Sequence, residues 1–256
     1  MIREQEVHVA TITLNRPEKL NAMSWVMFEE IGRVFERAAD EPDVRCVVVT
    51  GAGRAFCSGA DLTDPANVAT TPFELKDRMT RIHRIAKAFI SCPKPTIAKV
   101  NGIAAGAGCI LALGCDLIVA SREAAFAELF VKRGLVVDFG GSWALTRVLP
   151  LHKAKEMALL GETVSAEEAD HLGLVNRLSD TTEIDAVVKD LAERLAGLPP
   201  RTVSLIKENL NRAPERSIEA NLDAESLTQA ICFTSEDTRE AVLAWVEKRE
   251  PRFTGR

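Results

Sequence analysis

The sequence predicts an α/β protein with a helical C-terminal region, and three observations carry that reading. Through the first two-thirds, short apolar or β-branched runs alternate with stretches of helical periodicity, joined by glycine-rich loops. From Ser165 onward the pattern is almost wholly helical. The 256 residues are 46% hydrophobic and 27% charged, which supplies a large core and is ordinary for an ordered globular chain.

Val7–Leu14 (VHVATITL) alternates and is β-branched, so it reads as a strand, broken by Asn15-Arg16-Pro17. Ser24 is placed to N-cap an amphipathic helix running to about Ala39, where Asp40-Glu41-Pro42 ends it. Val44–Thr50 is a continuous apolar run before Gly51, as a buried strand requires. A helix follows over Pro72–Ile90, then strands at Thr96–Val100 and Leu117–Ala120, with a short apolar helix at Cys109–Leu113 between them. Beyond these, helices are expected at Ser165–His171, Glu183–Ala196, Arg201–Asn211, Ile218–Cys232 and Asp237–Lys248, with one strand at Leu174–Leu178. Leu198-Pro199-Pro200 marks the boundary between residues 1–197, the α/β part, and residues 198–256, a helical tail.

Composition narrows the function. A net charge of −5 without a basic run argues against a nucleic-acid partner. Charges within MIREQEVHVATITL occupy the place of a signal-peptide core, and no apolar run approaches the roughly 18 residues of a membrane helix. The six cysteines form no CxxC pair and no zinc-like spacing with the four histidines, so no metal is expected. Reduced, buried thiols in a cytoplasmic protein are expected instead, with the histidines on the surface or in packing.

Three glycine-rich segments are candidates for chemistry. Gly51–Leu62 (GAGRAFCSGADL) follows a strand, but a dinucleotide fingerprint needs a glycine where Phe56 stands, and no Gly-Lys-Ser/Thr is present. It is either a loop that lets a ligand approach backbone N–H groups or a plain strand-to-helix turn. Asn101–Ile110 (NGIAAGAGCI) leads small residues into an apolar helix. That suits either a developing negative charge at the helix N-terminus or a close helix contact. In Gly134–Trp143, Asp138 is a lone acid among Leu135, Val136, Val137 and Phe139. It is either a proton-transfer group with a raised pKa or the N-cap of the next helix.

Taken together, these segments resemble the crotonase (enoyl-CoA hydratase/isomerase) superfamily from about Val7 to about Arg249. Asn15–Met23 (NRPEKLNAM) looks like its first ligand loop and Ala55–Leu62 (AFCSGADL) like its first oxyanion-hole loop. Pro95–Asp116 looks like the second, and Leu159–Val175 (LLGETVSAEEADHLGLV) like a later signature. The resemblance implies a crotonase-like spiral of ββα turns and a C-terminal helical trimerisation region, in a homotrimer or homohexamer. It also implies an acyl-CoA thioester substrate, with coenzyme A as part of that substrate and no separate cofactor. The backbone N–H groups of Ala60 and Ala107 would then form an oxyanion hole for a thioester enolate. Lys19, Leu20, Ser58, Asp61 and Leu62, with Ala60, would surround the adenine end of coenzyme A. Lys248, Arg249 and Phe253 would add to that binding across a subunit boundary.

One departure bears on the reaction. Family hydratases carry two catalytic glutamates, and the matching positions here are Ile110 and Phe130. Glu128 lies two residues from the second, but its use needs a register slip, because Gly134 keeps the expected spacing from Phe126. Asp138 matches the aspartate of other branches, including the phenylacetate-pathway isomerase with its GLVxDxGGxW-type segment. The resemblance thus implies an isomerase, with hydration weak or absent. Asp138 would take a proton from C2 of a 3-enoyl-CoA and return it at C4, or would serve a ring-opening isomerisation. Ile110, Phe130, Val136, Phe139 and the Thr63–Arg81 segment are expected to line the acyl pocket. Three alternatives stay open: a hydratase using Glu128, Glu123 or another acid; an enzyme with Asp138 as nucleophile, for dehalogenation or aroyl-CoA hydrolysis; and a non-catalytic acyl-CoA-binding protein.

Overall fold

The computed structural model describes residues 1–67 and 71–256. The chain opens with an antiparallel hairpin of β1 (Ile2–Glu6) and β2 (Val9–Leu14), turned at Val7 and His8, which both have positive φ. Ser24 caps α1 (Trp25–Asp40) by accepting a hydrogen bond from the Met27 amide at 3.3 Å, and Met27, Phe28, Ile31 and Phe35 form its buried stripe. β3 (Cys46–Gly51), β4 (Ala55–Cys57) and α2 (Pro72–Ile90) follow, the last begun by a Thr71/Glu74 capping box. Next come β5 (Thr96–Val100), β6 (Ile103–Ala105), α3 (Ala107–Leu113), β7 (Leu117–Ser121) and β8 (Ala125–Ala127). α4 (Gly141–Val148), α5 (Leu151–Leu160), β9 (Thr163–Ser165), α6 (Ala166–His171) and β10 (Arg177–Ser179) lead to α7 (Ile184–Ala196). The chain finishes with α8 (Pro200–Arg212), α9 (Ile218–Phe233) and α10 (Glu236–Glu247).

Two sheets result. The larger runs β1-β2-β3-β5-β7-β10 and the smaller β4-β6-β8-β9. All pairs are parallel except β1/β2 and β8/β9. The central turns each lay one strand in the larger sheet, one in the smaller, and then a helix, as in β3-β4-α2, β5-β6-α3 and β7-β8-α4, whereas both strands of the first turn lie in the larger sheet. This is the expected spiral of ββα turns. Alternation along the central strands fixes its two faces. Cys46, Val48, Ile97 and Val119 pack under Ile184, Val188 and Leu191 of α7, whereas Val47, Val49, Ala98 and Ala120 face the main core with α1, α2 and α3.

Several boundaries differ from expectation. The strand expected from Val7 starts at Val9, because Val7 and His8 form the turn of a hairpin whose first strand the sequence reading omitted. The strand expected at Leu174–Leu178 forms at Arg177–Ser179, because Leu174 still donates to Ala169 O in the turn closing α6. The strands of the smaller sheet are three residues each, too short for a period to show. The apolar helix expected from Cys109 starts two residues earlier, at Ala107.

Leu198-Pro199 separates α7, which covers the sheet, from α8, and neither α8 nor α9 buries a residue in the single chain. Leu227 and Phe233 of α9 and Trp245 of α10 are among the apolar side chains left exposed in this region. Five cysteines are buried, Cys232 is half-buried, and all six are unpaired. Among the described residues no helix is long and apolar enough to cross a membrane, and no acid, histidine and cysteine cluster could hold a metal ion.

Candidate active site

The Asn15–Met23 loop is stitched to the glycine-rich segment by Asn21, which is fully buried. Its φ of +57° is a left-handed conformation that asparagine tolerates. Asn21 Nδ2 donates to Ala52 O at 2.9 Å and Ala55 O at 2.8 Å, and Oδ1 accepts from the Arg16 amide at 2.9 Å. Asp61 clamps the same loop from the other side. It takes the Thr63 hydroxyl at 2.7 Å, Arg16 Nη2 at 2.9 Å and Lys19 Nζ at 3.1 Å. The Thr63 bond first, then those of Arg16 and Lys19, hold the Asp61 carboxyl well below the usual carboxylate range. Ser58 joins in, its amide donating to Leu20 O at 3.0 Å and its hydroxyl to Lys19 O at 3.3 Å. Lys19, Leu20, Ser58 and Asp61 therefore form one hydrogen-bonded unit, with Leu62 exposed beside it. Asn21→Ala is expected to leave Ala52 O and the Arg16 amide unpaired, at about 1–3 kcal/mol per buried group. Denaturant titration should find lower stability; an unchanged variant contradicts this account of the loop.

Ala60 and Ala107 are brought together by two glycines. Met23 ties down both neighbours of Ala60, donating to Gly59 O at 2.7 Å and accepting from the Asp61 amide at 2.8 Å. The amide of Ala60, an exposed residue, points away from that bridge. Ala107 is the first residue of α3, so its N–H has no partner within the helix. Gly106 before it has φ +51° and donates to Ala127 O at 2.8 Å. Gly59 has φ +105°, and a Cβ built there would lie 3.0 Å from Ala105 O and 3.7 Å from Ala107 N. The two loops thus meet backbone to backbone at Gly59, where a side chain would crowd Ala105 O, while the left-handed φ of Gly106 favours glycine there. Two such amides on adjacent loops are suited to stabilising negative charge on one oxygen.

Asp138 lines a cavity of about 890 Å³ between α2, the segment before α4, and α8, together with His83, Ile90, Val136, Trp143 and Lys207. The cap of α4 is Gly140, with no side-chain cap bond, and Asp138 meets the helix only through its main-chain carbonyl, which accepts from Gly141 N at 2.7 Å. The Asp138 carboxyl is therefore left to the cavity. Burial raises its pKa, and the charge of His83 offsets part of the rise.

The four expected pocket residues separate. Val136 is 82% exposed and lines the cavity. Phe130 lies beside Gly106, its ring edge 3.9 Å from where a Cβ there would be. Ile110 is fully buried under Gly141. Phe139 turns into the core, its ring 5.3 Å from Phe28 and 5.1 Å from Phe89. In the Thr63–Arg81 segment, Met79 reaches the cavity, and residues 68–70 lie outside the described part of the chain. At the other end, Lys248 closes α10, and Arg249 is engaged by Glu240 at 2.6 Å and Glu247 at 2.7 Å. Phe253 is half-buried.

Two groups near Asp138 were not singled out as site residues from the sequence. His83 was read as surface or packing, and it faces the cavity from α2. Glu128 was set aside on register, yet it is fully buried, and burial pushes its carboxyl up to about 8, with Asp138's charge adding to the rise. The signal for Glu128 was present: Phe126, Glu128 and Phe130 alternate as inward-facing strand positions do.

A ββα spiral that carries two closely set backbone amides on adjacent loops, and separately an acid-bearing cavity, is the arrangement of a class of acyl-thioester enzyme, and comparison with known proteins agrees. Residues 4–256 match the family model for enoyl-CoA hydratase/isomerase, and the chain belongs to that family. Over 253 residues it is 39% identical to the 1,2-epoxyphenylacetyl-CoA isomerase of Escherichia coli K12, covering 98% of this chain and 97% of the relative. It is 33% identical to the short-chain-enoyl-CoA hydratase of Clostridium acetobutylicum, covering 98% and 95% of the two chains. The solved enoyl-CoA hydratase from Bacillus anthracis superposes with a TM-score of 0.94 at 29% identity, covering 100% of this chain and 99% of that one.

Proposed function

We propose that this protein is an enoyl-CoA isomerase that moves a double bond into conjugation with the thioester by a single-carboxylate proton shuttle. The observation that carries the reading is Asp138, a half-buried acid on the cavity wall whose carboxyl is not spent on capping α4. Asp138 removes the proton at C2, the amides of Ala60 and Ala107 hold the dienolate oxygen, and the same acid returns the proton at C4. Coenzyme A is the handle of the substrate, held by the loop unit of Lys19, Leu20, Ser58, Asp61 and Leu62, and no separate cofactor takes part. Ile110 and Phe130 bring no carboxyl group, which supports weak hydration. Identity to an isomerase acting on a phenylacetyl-CoA epoxide supports a cyclic or aromatic acyl group as one option. The exposed Leu227, Phe233 and Trp245 support a homotrimer or homohexamer.

The test is to offer 3-hexenoyl-CoA and crotonyl-CoA separately and follow enone absorbance and product mass. Conversion of the first without hydration of the second is expected. Efficient hydration of crotonyl-CoA would overturn the isomerase reading. A pH profile adds a sign. Asp138 must be ionised to act as a base, so kcat/KM rises with pH through its pKa in the folded protein. Burial places that midpoint above the ordinary aspartate value of about 3.9. An acid limb at the ordinary value would contradict the placement of Asp138 in the cavity wall.

A further inference from the structure

The proton shuttle leaves one buried carboxyl without a task. Glu128 is 0% exposed, and neither of its oxygens makes a well-formed hydrogen bond, the weak Cys109 thiol being the group set against them. Burying a carboxyl group in this state is costly, so its place invites a reason. β8 ends at Ala127, whose carbonyl takes the Gly106 amide at 2.8 Å and so fixes the start of α3. The next side chain, Glu128, turns inward against the Cys109 thiol in the first turn of that helix. Asp138, on the segment before α4, is close enough for its charge to be felt, and His83 of α2 in turn faces Asp138. Cys109 is itself held protonated by burial. No charge from a lysine or arginine among the described residues bears on Glu128.

We propose that Glu128 is a positioning residue of the reaction, a buried acid set behind the oxyanion hole that governs whether the hole can hold the enolate charge. The proposal rests on the Asp138 reading above. Enolate formation places negative charge in front of the Ala107 amide, at the N-terminus of α3. A carboxylate behind the same turn, in low dielectric and without a counter-ion, would oppose that charge. Glu128 therefore acts through its neighbours, without touching substrate. With its carboxyl pushed up to about 8, it is neutral at pH 7 and becomes an inhibitory charge above pH 8.

The experiment compares kcat/KM for 3-hexenoyl-CoA from about pH 6 to about pH 10 in wild type and Glu128→Gln. Wild type should fall along an alkaline limb with a midpoint near pH 8, and Glu128→Gln should stay flat there. Infrared spectroscopy reads the same group without substrate. A protonated-carboxyl carbonyl band should be present in wild type at pH 7, absent in Glu128→Gln, and lost as the pH rises through 8. If Glu128→Gln does not fold, Glu128→Met, which is similar in volume and cannot ionise, takes its place in both assays. An alkaline limb that persists in the variant, or no Glu128-dependent band at pH 7, overturns the proposal. Asp138→Asn in parallel separates the failures. Activity retained there sinks the shuttle itself, whereas a dead Asp138→Asn beside an unchanged limb in Glu128→Gln sinks only the role of Glu128.

Discussion

Asp138→Asn should lower kcat for 3-hexenoyl-CoA about a thousandfold, within the range of about 10²–10⁴ that a positioned general base contributes. Asparagine has the size of aspartate and cannot take the proton. The contact that sets the backbone here, Gly141 N to Asp138 O at 2.7 Å, is main chain to main chain and survives the change. The cavity should therefore keep its shape, and affinity for a saturated acyl-CoA should move by less than about threefold. Deuterium exchange from solvent into C2 is the sharper readout, because it registers proton removal even when the product does not form. An Asp138→Asn protein that still exchanges C2 would take Asp138 out of the mechanism and leave Glu128 as the acid to pursue.

Phe139→Ala should cost about 3–5 kcal/mol of stability, the range for removing a buried aromatic ring. Phe139 is fully buried and meets Phe28 edge to face at 89° and Phe89 at 54°. Its backbone has φ +54°, where a side-chain-bearing residue sits at a cost of about 1–2 kcal/mol. The ring's packing holds that conformation in place, and the residue before it is Asp138. Losing the ring removes the packing and frees the backbone together, so kcat should fall with stability. Phe139→Leu, which keeps much of the apolar volume, should recover part of both. Denaturant midpoints and steady-state kinetics on the two variants check this. A Phe139→Ala protein within about 1 kcal/mol of wild type would show that the aromatic cluster does not anchor the segment.

The sequence made the long elements legible and the short ones not. α1, α2, β3 and β5 have the length and period that distinguish a helix from a strand, and they were placed within a few residues. The smaller sheet was missed because its strands are three residues each and lie inside glycine-rich segments. The start of α3 moved from Cys109 to Ala107 for a related reason: alanine and glycine give no periodic signal, and here the Gly106 turn sets the boundary. Asp138 was legible as a lone acid among apolar residues. Which way Phe139 faces was not, because a left-handed residue inverts the side expected from simple alternation. Glu128 was visible by its spacing from Phe126 and Phe130 but was set aside on register, and its relation to Asp138 arises only when β8 and the segment before α4 fold onto α3.

The contrast between Val136 and Phe139 has a consequence for how this enzyme can change. Val136, two residues before the acid, stands 82% exposed in the cavity wall, whereas the residue after the acid is locked into the core. Exposed positions of this kind tolerate replacement with little loss of stability, while fully buried ones do not. On the proposed reading of the cavity as the acyl site, natural drift or a directed-evolution library could reshape the room for a new acyl group at residue 136 without loosening the mooring of Asp138. Substrate range and structural integrity would then be inherited through different residues, three positions apart in the chain.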